Sequence, residues 1–298
     1  MRPRWEQSAP RRAAPRRAAD LTCCLLSESK RRSGPSPRPP APLRRRGGDL
    51  RGELGNGQPN GENGYSALQP TRIGSEGSFT QVSVGSTGGC AISQMEKLLC
   101  WGWSEYGKTG TGSSAQAALL PTEVYGGGKW SQVSVGSDSS CAIKTDGSAW
   151  CFGRNNKGQL GNGGTLDSAV PVEVYSSSGY YWTSISSGKR GPPDDGEAAC
   201  GIQSDGTAYC WGVNNDGELG SGRDPAVYSS YPVAVSGGYS WSTDPGAISV
   251  GSGFACGILG SGTAMCWGGG GNVSGSPREG EAALLPVGVA ASDVTIQA

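Results

Sequence analysis

The chain has 298 residues with 52 Gly and no His, and its 25 Lys and Arg are balanced by 25 Asp and Glu. Without His it can build no Ser-His-Asp or Cys-His nucleophile, no His general base and no His-ligated zinc site. Gly at more than twice the ordinary usage of about 7% disfavours a helical protein, and without a Gly-X-Y period collagen is excluded too, which leaves a turn-rich all-β chain or a disordered one.

The zero net charge is a sum of opposites. Residues 1–48 carry 13 Lys and Arg against 3 Asp and Glu, a net of +10, and residues 49–298 carry 12 against 22, a net of −10. The head is rich in Arg, Pro and Ala, with runs at Arg11-Arg12, Arg16-Arg17 and Arg44-Arg45-Arg46. It has no apolar periodicity with which to offset the entropy of ordering, so it reads as a disordered tail. Four roles fit it: a solvated tail, an Arg arm for phosphate or an anionic surface, an organelle transit peptide, or a miscalled start foreign to the rest. It does not fit a secretory signal, because its longest apolar run is only Leu21 to Leu26. Cys23 and Cys24 stay unassigned. No stretch approaches the roughly 20 apolar residues of a membrane-spanning helix.

From residue 49 onward the chain repeats. Gly52-Glu53-Leu54-Gly55-Asn56-Gly57 nearly duplicates Gly158-Gln159-Leu160-Gly161-Asn162-Gly163, and Pro70 and the run Phe79 to Gly85 follow. Residues 49–85 are thus the back half of a repeat without its Cys hairpin. Four fuller phases follow, at about 86–136, 137–188, 189–251 and 252–298. Each carries two Cys ten positions apart and then an aromatic-Gly pair: Cys90 and Cys100-Trp101-Gly102, Cys141 and Cys151-Phe152-Gly153, Cys200 and Cys210-Trp211-Gly212, Cys256 and Cys266-Trp267-Gly268. The first cysteines are 51, 59 and 56 residues apart. A Gly-x-x-Gly, a Pro-x-x-Val and an aromatic strand opener at Phe79, Trp130, Trp182 and Trp241 keep the same phase, the last with an insertion before Gly251. Such a period means a solenoid or a propeller rather than a single-site enzyme. The chain stops where a fifth hairpin starts, with Ala291 to Ile296 weakly like Trp130 to Val135. It reads either as a fragment of a longer array or as one whose two ends complete a shared blade.

Each hairpin has its own local logic. Asp146-Gly147 lies between two short runs, the strongest local hairpin signal. A three-residue loop Thr145-Asp146-Gly147 pairs Lys144 with Ser148 and sets Cys141 opposite Cys151. The same arithmetic centres every Cys pair on Met95, Asp146, Asp205 or Ser261. Opposed Cβ atoms in a non-hydrogen-bonded pair are close enough for a disulfide, and such bonds imply an oxidising compartment. Buried free thiols are the competing reading. Zinc does not fit the spacing. The recurring aromatics suit packing between repeats, whereas Trp103 and Trp150 break the pattern and are candidates for an exposed contact.

Together these columns resemble the repeat of the regulator of chromosome condensation family. The resemblance covers residues 52–298 and implies a β-propeller, usually of seven four-stranded blades. It also implies loops presented to a partner, in activities that range from guanine-nucleotide exchange and chromatin binding to light sensing and β-lactamase inhibition. The chain departs from the founder in having about four and a half repeats, in its paired cysteines, which look like a secreted branch, and in an acidic body that offers nucleic acid no electrostatic support.

Other motifs have plainer readings. Gly102 to Thr109 matches the phosphate-loop string ending in Gly107-Lys108-Thr109, yet a loop rather than a helix follows it, and the repeats carry the same glycines without Lys-Thr. Asn272-Val273-Ser274 is a candidate glycosylation site. Asp194-Asp195-Gly196-Glu197 is an acidic insertion that lacks the length and spacing of a calcium loop and reads as a solvated loop. Asp146 and Asp205 are turn residues. The expectation is therefore an all-β, partial or open propeller with no catalytic site, cofactor or metal. It binds a protein or glycan partner through inter-strand loops, outside the cell or in another oxidising space. The alternatives are exchange on a small GTPase and an organelle address.

Overall fold

The computed structural model describes residues 52–57, 71–74, 77–114, 117–176, 179–189, 196–222 and 228–269, and the backbone of 283–288. Its strands form four four-stranded antiparallel sheets, each in simple sequential order. The first holds β1 (Phe79–Val84), β2 (Gly88–Ser93), β3 (Leu98–Trp103) and β4 (Ala117–Glu123). The second holds β5 (Trp130–Val135), β6 (Ser139–Lys144), β7 (Ala149–Gly153) and β8 (Ser168–Glu173). The third holds β9 (Trp182–Ser187), β10 (Ala198–Gln203), β11 (Ala208–Gly212) and β12 (Ser229–Ala234). The fourth holds β13 (Ile248–Val250), β14 (Phe254–Ile258), β15 (Ala264–Gly268) and β16 (Ala283–Gly288). These are propeller blades.

The blades are offset by one strand from the sequence repeats. Phe79–Val84, the end of the partial repeat 49–85, is the first strand of the first blade, and Trp130–Val135 opens the second. A blade is thus completed by the strand that precedes its Cys hairpin.

Local chemistry fixes each hairpin. Lys144 N donates to Ser148 O and Gly147 N to Lys144 O, both at 2.9 Å, closing the loop around Asp146. Gly147 sits at φ +83°, a region costly for residues with a Cβ. The first hairpin places Glu96 at φ +61° in the same role. The register sets Cys90 opposite Cys100, Cys141 opposite Cys151, Cys200 opposite Cys210 and Cys256 opposite Cys266. All four pairs are bonded, with Cα atoms 4.0–4.1 Å apart.

The core lies between blades. Cys90, Cys100 and Val124 of the first blade bury against Trp130, Val133 and Phe152 of the second. Cys141, Cys151 and Leu160 of the second bury against Trp182, Ile185 and Trp211 of the third. The third and fourth join in the same way around Trp241 and Trp267. The first three disulfides therefore sit inside the apolar layer that the next blade completes.

A polar seam follows the first strands. Gln81 Oε1 accepts from Val133 N at 2.9 Å, and Ser83 Oγ from Val135 N at 3.0 Å. Gln132 and Ser134 repeat this to Ile185 N and Ser187 N, and Ser186 to Val250 N. Ser184 stands where the first two blades have Gln, and its buried hydroxyl has no partner among the described residues.

Candidate functional site

The repeat columns form a lattice that positions everything else. The aromatic after each second cysteine occupies a β-bulge, where the register shifts between Cys and Gly. Its ring lies against the last Gly of the preceding repeat's Gly-x-x-Gly. A Cβ on Gly55, Gly110, Gly161 or Gly220 would meet the ring of Trp101, Phe152, Trp211 or Trp267 at 2.7–2.9 Å. Trp101 Nε1 donates to Glu53 O at 3.0 Å, Trp211 to Gln159 O at 2.8 Å and Trp267 to Glu218 O at 2.7 Å. Phe152 has no N–H to give. There the equivalent carbonyl, on Lys108, accepts from the Ser140 hydroxyl at 3.0 Å.

The structure gives the singled-out residues definite places. Trp103 Nε1 donates to Glu105 Oε2 at 3.0 Å. Trp150 is half-buried against the core between the first two blades, and its Nε1 donates to Ser148 Oγ at 2.8 Å. The Lys144 ammonium rests 4.0 Å from the Trp150 ring centre. Lys108 is buried, with Nζ donating to the Thr87 hydroxyl and to Ser137 O. Its charge is thereby turned into the joint between blades rather than toward a phosphate. Cys23, Cys24, Asp194, Asp195 and Asn272 lie outside the described residues. Among the described residues, no group of three or more Cys, Asp or Glu is placed to hold a metal ion.

Glu197, which sequence reasoning left in a solvated loop, is buried between the second and third blades. Its carboxylate accepts from Asp138 N at 2.5 Å, Ser139 N at 3.1 Å and Ser139 Oγ at 2.7 Å. Burial pushes its pKa up to about 7, against the pull of those donors. Asp138 beside it pairs with Arg154 at 3.2 Å, and that guanidinium lies 5.1 Å from the Tyr106 ring. No sequence signal set Glu197 apart within its acidic stretch, because burial depends on the facing blade.

The outer surface is rich in tyrosine. Tyr125, Tyr175, Tyr180, Tyr181, Tyr228 and Tyr231 are all exposed, and Tyr175 meets Tyr231 edge to face at 5.1 Å. On the hairpin rim an open pocket of about 440 Å³ is shared by three blades. The second blade contributes Lys144, Thr145 and Asp146, the third Tyr181, and the fourth Thr243 and Pro245.

The repeat of the regulator of chromosome condensation matches residues 96–143, 146–191 and 205–258, and a second profile of it matches 130–159. The chain belongs to the regulator of chromosome condensation repeat family. Within this family it is 30% identical over 175 residues to the ultraviolet-B receptor UVR8 of Arabidopsis thaliana, covering 57% of this chain and 37% of the receptor. It is 30% identical over 158 residues to the human probable E3 ubiquitin-protein ligase HERC6, covering 52% of this chain and 15% of the ligase. The chain thus spans well under half the length of either relative. Among solved structures, human WBSCR16 superposes with a TM-score of 0.62 at 18% identity, over 74% of this chain and 56% of that one. Prp20p of Saccharomyces cerevisiae superposes with a TM-score of 0.61 at 16% identity, over 75% and 53%. At these identities the likeness shows a shared repeat propeller fold.

Proposed function

We propose that the chain is a non-enzymatic interaction module that binds a protein or glycan partner through its inter-strand loops, in an oxidising compartment. The observation that carries this reading is the tyrosine surface on a scaffold pinned by four disulfides. Tyr supplies contact area at low entropic cost and is enriched at interfaces. A rigid support reduces the ordering that association otherwise demands. The disulfides speak for the compartment, since cytosolic thiols are kept reduced.

The test uses the full chain with disulfides intact, screened against secreted protein ectodomains and a glycan array. A matched variant replaces Tyr125, Tyr175 and Tyr231 by Ser. A ligand retained by the first and lost by the second supports the module reading. Silence of both libraries overturns it. So does accelerated release of guanine nucleotide from a small GTPase, which would establish an exchange factor of the kind found in the family.

A further inference from the structure

A repeat protein carries an internal control. A residue that the fold requires in every blade recurs in its column, and a residue that breaks its column without serving a blade contact points to another role. Two such breaks, and a pair from columns with no shared residue, converge on the hairpin-rim pocket.

The first is Tyr181. The residue before each first-strand aromatic is Ser78, Lys129, Tyr181 or Ser240. The backbone at this position does the same work throughout: Gln94 N, Thr145 N, Ser204 N and Gly260 N donate to the carbonyls of Ser78, Lys129, Tyr181 and Ser240. The hydrogen bond requires no ring, yet Tyr181 places one on the rim with 59% of its surface exposed. Its Cβ lies 2.4 Å from where a Cβ on Gly147 would be, so the hairpin glycine makes room for it.

The second break is the insertion in the fourth blade. Seven residues run from Trp130 to Gly136 and from Trp182 to Gly188, but eleven from Trp241 to Gly251. Trp241 makes its bridge to Leu259, and the strand resumes only at Ile248. The extra residues form a bulge held by its own bonds, Ser242 Oγ to Asp244 Oδ2 at 2.9 Å and Ala247 N to Asp244 O at 3.1 Å. Thr243 and Pro245 from this bulge wall the pocket.

The third is the pair Lys144 and Trp150. Their columns read Ser93, Lys144, Gln203, Leu259 and Leu99, Trp150, Tyr209, Met265. The Trp150 ring holds the ammonium beside the pocket. Asp146 is adjacent: its Oδ1 accepts from Ser148 N at 2.9 Å and Ser148 Oγ at 2.6 Å. Those donors hold its carboxyl below the usual range, so it is ionised at neutral pH.

From this convergence we infer that the pocket formed by Asp146, Lys144, Tyr181, Thr145, Thr243 and Pro245 is a carbohydrate subsite that takes one neutral pyranose ring. A carboxylate and an ammonium side by side leave no net charge to select a cation or an anion. They do offer an acceptor and a donor together, which vicinal hydroxyls match. The threonine hydroxyls add groups of both kinds, and the exposed Tyr181 ring offers a flat apolar face for the C–H side of a sugar. The volume of about 440 Å³ lies at the low end of the range for small-ligand sites. This inference rests on the interaction-module reading and names the partner class at one site.

The test uses the full oxidised chain and methyl glycosides of glucose, galactose, mannose and N-acetylglucosamine. The probe is titrated while tryptophan fluorescence is followed, since Trp182 borders the pocket. One glycoside is expected to saturate with a Kd of about 1 mM, the affinity of a small polar ligand in an open site. Tyr181→Ser restores the residue that two other blades carry in this column, so it keeps the fold, and it is expected to weaken binding about tenfold. Asp146→Asn retains an acceptor for Ser148 and is expected to weaken binding severalfold. Unchanged thermal unfolding of both variants shows that the scaffold is intact. No saturation by any glycoside, affinity unchanged in Tyr181→Ser, or capture of an arginine-containing peptide in place of sugar would each sink the inference. A partner lost with the Tyr125, Tyr175 and Tyr231 substitutions, alongside a pocket silent to sugars, refutes the subsite and leaves the module reading standing.

Discussion

The Phe152–Ser140 pair makes a quantitative test of the lattice. In three blades an indole N–H satisfies the carbonyl of the preceding Gly-x-x-Gly, and the residue opposite the indole is Gly89, Ala199 or Ala255. In the second blade the ring is Phe152, the residue opposite is Ser140, and its hydroxyl serves the Lys108 carbonyl. Two substitutions therefore compensate one another. Ser140→Ala alone removes a buried donor and is expected to cost about 1 kcal/mol. Phe152→Trp alone crowds a ring already against Gly110 and brings a second donor to an occupied carbonyl, at about 1–3 kcal/mol. Together they recreate the Ala199–Trp211 arrangement, so the double variant is expected within about 1 kcal/mol of the starting protein. Urea unfolding followed by circular dichroism, disulfides intact, gives all four stabilities, compared at constant m-value. Independent sites add to within about 0.5 kcal/mol. If the two costs simply add, Ser140 does not stand in for the missing indole, and the column argument fails at its most specific point.

Three further outcomes follow from the same geometry. Glu197 binds its proton more tightly folded (about 7) than unfolded (4.5), so its contribution is full below pH 4.5 and falls as pH rises through 7, by about 3 kcal/mol; urea midpoints of Glu197→Gln are expected to lack that share of the slope, and an identical slope would show that the carboxyl titrates normally. Gly161→Ala places a Cβ 2.9 Å from the Trp211 ring at φ +65° and is expected to cost about 2–4 kcal/mol, whereas Gly126→Ala, with open space at φ +82°, is expected to cost about 1; equal losses by thermal unfolding would deny the ring contact. Replacing Cys141 and Cys151 together by Ala is expected to cost about 2–3 kcal/mol, and alkylation of the native protein without reductant is expected to leave all eight hairpin cysteines unlabelled, a mass spectrum with labelled ones standing against the bonded state.

The hairpins were legible in the chain because their determinants are local. Asp146-Gly147 fixes the loop, the loop fixes the register, and the register sets Cys141 against Cys151. The aromatic columns were legible as packing, although not which Gly each ring would cover. What stayed hidden depends on the neighbouring blade. Gln81, Ser83, Gln132 and Ser134 look like ordinary polar alternation in a half-exposed strand, and only the facing strand's N–H groups make them a seam. Glu197 likewise carries the composition of a loop and the environment of a core. The blade offset went unseen for a related reason: the repeat has no marked beginning in sequence, and strand pairing alone places Trp130–Val135 with the hairpin that follows it.

The same periodicity that reveals the scaffold also separates it from function. Every column kept across the blades has a structural job in view: the cysteines pair, the bulged aromatics cover glycines, and the first-strand polar residues stitch one blade to the next. Folding alone gives no reason for Tyr181 in place of Ser or Lys, nor for four extra residues before Ile248, since the uninterrupted strand of the other blades orders fewer residues. A feature that costs ordering without serving the core points to a contact made outside the fold. Two of them, contributed by blades adjacent in space and about 60 residues apart in sequence, wall a single pocket. For a repeat protein that coincidence in space is a stronger pointer to a binding site than any one exposed residue, because each break taken alone could be drift.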